Sequence, residues 1–246
     1  MTVYLNEMTG IADAIVSMFI SKRTWSREME NKIRHITECV LMKNGALKDV
    51  DTITVEGNLS MLDTFNEWME TLIKWGWKHI TMLRFVDMSI TVEGLHRAGQ
   101  DDWDAHAQRF NNRIIRSSTR LANFGYEVSN WYSDKIMPTD TALNHLGINL
   151  PQSIKIDEVE YTKAVNGYVR EDCKSDADVK RGLYMLSIPS NFLFKVNLTE
   201  WAHVYKERNI NGSANPEVKQ CCESIADQME AFHHQFNREL FLKIKN

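Results

Sequence analysis

One change of period constrains this chain more than any other feature. From Met61 to Trp75 the apolar residues Met61, Leu62, Phe65, Trp68, Met69, Leu72, Ile73 and Trp75 recur at helical spacing, with Asn58 or Ser60 placed to cap the helix they predict and Gly76 to end it. Just downstream Val86, Met88, Ile90 and Val92 alternate with Asp87, Ser89 and Thr91, the pattern of a strand buried on one face. Both periods stand close together, so a purely helical bundle is disfavoured and the class is α+β.

The same reading places further elements. Helices are predicted from Met8 to Ile20 and from Trp25 to Met42, and Asp101 and Asp102 can cap a helix running to about Leu121. Phe124 to Tyr132 looks extended, and Asp176 or Asp178 starts a short helix through Arg181. Phe192, Phe194 and Val196 alternate as a second strand, followed by a helix capped by Thr199. Asn215 with Pro216 opens a long helix whose stripe is Val218, Cys221, Ile225, Met229, Phe232, Phe236 and Leu240.

The chain of 246 residues contains no low-complexity linker or internal repeat, so one domain spanning residues 1–246 is the simpler organisation. Its formal net charge of -4 argues against general nucleic-acid binding and against adhesion to anionic membrane by bulk charge. Cys39, Cys173, Cys221 and Cys222 contain no C-x-x-C pair, which fits reduced thiols in a cytoplasm better than a disulfide framework or a zinc site. The N-terminus has neither a basic region before its apolar stretch nor a run of membrane-spanning length.

Arg109, Arg113, Arg116 and Arg120 follow one another at steps of four, three and four residues. On a helix they would share one face, and no acidic residue lies between Ala107 and Tyr126 to neutralise them there. Ser117, Ser118 and Thr119 add hydroxyl donors, so the stripe reads as an anion site, with a substrate phosphate as the anion; the competing reading is a solvated face paired elsewhere in the fold.

From Lys180 onward the text KRGLYMLSIPSNFLFKVNLTEWAHVYKERNINGSANPEVKQCCESIADQMEAF resembles the C-terminal core of the flavin-dependent thymidylate synthases. Arg181, Asn197, His203 and Arg208 fall in that family's pattern without a gap, and Glu217 follows after a one-residue insertion. Ser118-Thr119-Arg120 matches the second half of the central signature, while Gln108-Arg109-Phe110 stands where the family has Arg-His-Arg, with Arg109 or Arg113 as substitutes. LIKWGWKH resembles the stretch before the first long strand, with Trp75 and Trp77 replacing histidines, and Ser21 matches a flavin-contacting serine.

The resemblance implies a central, mostly antiparallel sheet packed with long helices, a homotetramer, and transfer of a one-carbon unit from methylene-tetrahydrofolate to C5 of dUMP using FAD reduced by NADPH. Arg116, Ser118, Arg120 and Arg181 would hold the nucleotide phosphate, and Arg208 would contact the pyrimidine as the catalytic cation. Ser21, Trp77, His79, Arg109, Arg113, Asn197 and His203 would surround the flavin. The departures leave open hydroxymethyl transfer, another pyrimidine such as dCMP, or a non-catalytic nucleotide-binding relative that has lost flavin. Glu200-x-x-His203 and Glu230-x-x-His233 have di-iron spacing, but the short helix around Glu200 and the preceding strands do not suit a carboxylate bundle, and no metal is expected.

Overall fold

The computed structural model describes residues 1–41, 54–55, 59–105, 113–118, 127–176, 179–180, 182–211 and 214–244. Its helices are α1 (Ile11–Ser21), α2 (Arg27–Val40), α3 (Met61–Gly76), α4 (Arg97–Ala105), α5 (Thr139–His145), α6 (Leu198–Tyr205), α7 (Pro216–Phe232) and α8 (Arg238–Lys243). Four strands, β1 (Thr2–Thr9), β4 (Asp87–His96), β5 (Arg113–Arg116) and β9 (Pro189–Asn197), share one sheet in the order β1-β4-β9-β5. The strands β6 (Ser153–Ile156), β7 (Val159–Ala164) and β8 (Gly167–Arg170) form an antiparallel sheet, with Ile154 opposite Tyr161 and Thr162 opposite Val169. A short antiparallel pair joins β2 (Thr54–Val55) to β3 (Leu59–Ser60), completing an α+β chain.

The chain forms two compact units, one of Met1–Thr2, Glu93–Asp102 and Ile115–Phe192, the other of Val3–Val92, Trp103–Ile114 and Leu193–Asn246. In the first unit, the start of α4 is tied down by backbone bonds from Arg97 N to Ile188 O (3.0 Å) and from Ala98 N to Leu186 O (3.0 Å). Those bonds place the helix start at Arg97, so Asp101 and Asp102 lie inside it instead of capping it. Ser129 N donates to Ser187 O at 2.8 Å, and His96 meets Tyr132 edge-on at 5.1 Å. Asp140 on α5 is 3% exposed and lies 3.7 Å from Lys163 Nζ on β7, a cation that offsets the cost of burying the carboxylate. Asp176 Oδ1 accepts from Val179 N–H at 3.3 Å; residues 177–178 and Arg181 of the short helix expected there lie outside the described residues.

The second unit is organised by three helices whose starts are specified locally. Ser26 accepts from Met29 N (3.1 Å) and Ser60 from Asp63 N (3.0 Å), which selects Ser60 over Asn58 as the cap of α3. The helix expected from Met8 begins only at Ile11, because Thr2–Thr9 pairs into the sheet and Gly10 turns the chain at φ 77°. A Cβ at Gly10 would lie 1.8 Å from the Phe85 carbonyl oxygen, so only glycine fits there. Gly76 is the last residue of α3, and its missing side chain lets Leu83 pack against the helix, since a Cβ would sit 2.7 Å from Leu83 side-chain atoms. Ile15 and Met18 of α1, Ile33 and Ile36 of α2, and Phe65, Met69 and Leu72 of α3 are all buried.

The edge strand β1 is sealed by a side chain. Gln228 of α7 accepts from Leu5 N at 2.7 Å and donates to Val3 O at 2.8 Å, so its amide stands in for a neighbouring strand. Helix α7 starts as expected, Asn215 accepting from Glu217 N at 2.9 Å with Pro216 at the first position, and Val218, Cys221, Ile225, Met229 and Phe232 are buried along it. The stripe does not run on as one helix to Leu240. Extended backbone at His233 ends α7, and Asn237 caps a separate α8 by accepting from Leu240 N (3.2 Å). His233 is 1% exposed; its Nδ1 accepts from Gln235 N (3.3 Å), which leaves Nε2–H to donate to Asn66 Oδ1 (3.1 Å). Burial lowers its pKa to about 4, and the stacked His234 (4.6 Å) pushes the same way.

An aromatic cluster binds the C-terminal elements together. Trp103 lies edge-on to Phe194 at 5.5 Å and 6.0 Å from Trp201, and Phe241 of α8 meets Trp201 at 6.2 Å and Tyr205 at 5.4 Å. Such pairs add to area burial by favourable ring electrostatics and fix the base of α6.

Candidate functional site

In the second unit the end of β9 runs directly into α6. Asn197 ends the strand, and its Oδ1 accepts from Thr199 N (3.1 Å), Thr199 Oγ1 (2.7 Å) and Glu200 N (3.1 Å). The cap of α6 is therefore Asn197 and not the expected Thr199, whose hydroxyl is one of the groups the cap binds. His203 lies half-buried in the following helix. After Tyr205 the helix widens into a π turn, Lys206–Ile210, closed by Asn211 N donating to Lys206 O at 2.8 Å. Arg208 sits in this turn and is 7% exposed. Isolated π turns of this kind are uncommon and tend to occur where a side chain is placed for function.

The turn packs on α7. Cys222 of α7 is fully buried; burial pushes its thiol up, Glu223 adds to that, and the Arg208 cation opposes it, so the guanidinium lies within electrostatic reach. Burial pushes the Cys221 thiol up too, which makes both cysteines inert packing groups instead of nucleophiles. Glu217, in the first turn of α7, is buried as well.

Within its described residues the expected arginine helix is corrected by the structure. Residues Arg113–Arg116 form strand β5, because pairing in the sheet overrides a charge spacing that is compatible with a helix but does not require one. Three residues apart on a strand means opposite faces, and accordingly Arg113 is exposed and Arg116 half-buried. In the first unit Arg116 Nη1 pairs with Asp101 at 2.5 Å, and Arg97 Nε lies 4.0 Å from the same carboxylate. Two guanidinium groups thus share one acid. Arg97 was missed in the sequence, where it stood beyond the end of the strand pattern with no periodicity to single it out. Ser117 N donates to Asn191 O at 2.9 Å, which places the half-buried Ser118 beside β9 residues of the same unit. Arg109, Arg120 and Arg181 lie outside the described residues.

The other residues assigned to a flavin lie in the second unit. Ser21 is exposed at the last position of α1. The next residue, Lys22, holds its Nζ 4.8 Å from the Trp75 ring, which stacks on the exposed His79 at 6.2 Å. Trp77 lies beneath Lys78 Nζ (4.9 Å) and lines an open groove of about 340 Å³ together with Lys74, Gln235 and Lys243. Among the described residues no group of three or more His, Cys, Asp and Glu side chains could hold a metal ion, and Glu230 is ion-paired to Arg238 at 3.2 Å. Among them, too, no helix is long and apolar enough to cross a membrane.

This fold is similar to that of solved flavin-dependent thymidylate synthases. The particular solved structures it resembles are two crystal structures of thymidylate synthase X from Helicobacter pylori with FAD and dUMP, which match with TM-scores of 0.55 and 0.54 at 12% identity, over 98% of this chain and 99% of theirs. At that identity the likeness shows the fold. No protein-family model matches the chain, and no curated protein matches it by sequence.

Proposed function

We propose that residues 1–246 act as one thymidylate synthase-like domain that transfers a one-carbon unit, methyl or hydroxymethyl, from methylene-tetrahydrofolate to C5 of a pyrimidine deoxynucleotide monophosphate such as dUMP. The observation that carries this reading is the run Asn197, His203, Arg208: family-pattern residues set on a strand end, a helix and a π turn of a chain with the matching fold. Arg208 supplies a buried cation at the pyrimidine edge, where it stabilises negative charge developing on the ring as C5 becomes nucleophilic. Ser118 and Arg116, with Arg120 and Arg181, hold the phosphate through hydroxyl and guanidinium donors.

The side chains present suit a flavin. They comprise the Ser21 hydroxyl, the Trp77 indole, the imidazoles of His79 and His203, the guanidinium groups of Arg109 and Arg113, and Asn197, whose Oδ1 is taken by the helix cap so that a contact falls to its amide N–H. Bound FAD, with NADPH as its reductant, supplies the redox step that no side chain can perform. We place the enzyme in the cytoplasm as a homotetramer.

A second reading is a nucleotide-binding relative that has lost flavin, favoured by Trp75 and Trp77 in place of histidines and by Gln108-Arg109-Phe110 in the signature. The visible absorption spectrum of the purified protein, before and after FAD addition and removal of excess, separates the two when combined with a dUMP titration. Retained flavin with dUMP binding supports the synthase, and dUMP binding without flavin supports the relative. Binding of neither refutes both. For the synthase, Arg208→Ala keeps the fold and abolishes turnover, while Arg120→Ala or Arg181→Ala chiefly weakens dUMP binding; normal turnover in all three overturns it.

A further inference from the structure

We infer that Glu223 is the positioning residue for Arg208. On α7, Glu223, Asp227 and Glu230 fall at steps of four and three residues, so three carboxylates share one helix face. Arg238 gathers all three: its Nη2 lies 2.7 Å from Glu223 Oε2 and 2.5 Å from Asp227 Oδ1, its Nε donates to Glu223 Oε2 at 2.8 Å, and its Nη1 reaches Glu230 at 3.2 Å. This fixes one oxygen of Glu223 and turns the other toward the π turn.

The second oxygen, Oε1, accepts from Tyr205 OH at 2.9 Å and from Asn209 Nδ2. Those two donors stand on either side of Arg208, one just before the π turn and one within it. A π turn is a rare departure from α-helical geometry, and here contacts from α7 hold both of its flanks. Lys206 adds an anchor by donating from Nζ to the Ile244 carbonyl. Glu223 is thus the carboxylate on which both flanks of Arg208 converge, and it sits next in sequence to Cys222, which feels the Arg208 charge. Although burial opposes its charge, hydrogen bonds from Arg238 and Tyr205 hold the Glu223 carboxyl below its usual range, so it is an anion at neutral pH.

The inference rests on the proposed role of Arg208 at the nucleotide, and its test keeps the two apart. Amide hydrogen exchange over residues 206–211 and dUMP titration are measured on the full chain for wild type, Glu223→Ala, Glu223→Gln, Arg208→Ala and the Glu223→Ala/Arg208→Ala double variant. In Glu223→Ala, loss of these hydrogen bonds speeds exchange across 206–211 and weakens dUMP binding by roughly tenfold. Glu223→Gln keeps an oxygen for Tyr205 and Asn209 and recovers part of both effects, which also serves where the alanine variant folds poorly. The double variant binds dUMP no more weakly than Arg208→Ala alone, because Glu223 acts through Arg208. Unchanged exchange in Glu223→Ala, or an equal loss of affinity in both backgrounds, overturns the positioning role alone. Undiminished dUMP binding by Arg208→Ala overturns the nucleotide reading, and the positioning role with it.

Discussion

Lowering the pH should loosen this fold at His233 before its carboxylates titrate. The ring lies between α7 and α3 with both nitrogens engaged in the neutral tautomer, Nδ1 accepting from Gln235 N and Nε2 donating to Asn66 Oδ1. Protonation would turn Nδ1 into a donor facing another donor, inside a buried site beside His234. The folded pKa of about 4 lies below the ordinary 6.5, so the unfolded chain takes up the proton first. The stabilisation is fully present above pH 6.5 and is lost as pH falls toward 4. Linkage over that window gives about 2 kcal/mol lost between pH 7 and pH 5, and about 3 kcal/mol at its acid limit. Urea denaturation followed by far-UV circular dichroism, at matched ionic strength across pH 7 to 5, measures it against His233→Gln. The variant starts from lower stability at pH 7 but lacks this pH dependence. Equal slopes in the two proteins would refute the reasoning, since the proton would then be binding elsewhere.

Two further outcomes test the packing. Gln228→Ala leaves Leu5 N and Val3 O of the edge strand without the amide that seals them, and it should cost about 1–3 kcal/mol in urea denaturation and raise the tendency to aggregate, seen by light scattering; a change within error would mean that water replaces the amide at no cost. Trp201→Ala empties the middle of the cluster formed by Trp103, Tyr205 and Phe241, with an expected loss of roughly 3–5 kcal/mol by urea denaturation, and a loss below about 1 kcal/mol would contradict the packing described.

Comparison of particular residues shows where local signals were enough. The period of Met61–Trp75, the alternation of Val86–Val92 and the Asn215-Pro216 start each fix an element by local chemistry, and α3, β4 and α7 stand there. Over Arg113–Arg116 the expected helix is a strand, because a four-three-four spacing is only permissive. The strand at Arg113–Arg116 arises from pairing with residues remote in sequence, and a strand places Arg113 and Arg116 on opposite faces. The N-terminal strand was hidden for the same reason, since Thr2–Thr9 alternates weakly and gains its edge from sheet neighbours and from Gln228.

What the amino-acid sequence determined by itself was whatever short-range periodicity, capping and turn chemistry can specify: the α+β class, the helices α2 and α3, the start of α7, and the strands β4 and β9. What only the tertiary structure decided was which distant groups meet. The widening of α6 into a π turn, the sharing of Asp101 by Arg97 and Arg116, and the convergence of Tyr205, Asn209 and Arg238 on Glu223 depend on contacts between separate elements. Hydrogen bonds and ion pairs act over a few ångströms in space, and nothing in a local pattern records which remote residue will fill that distance.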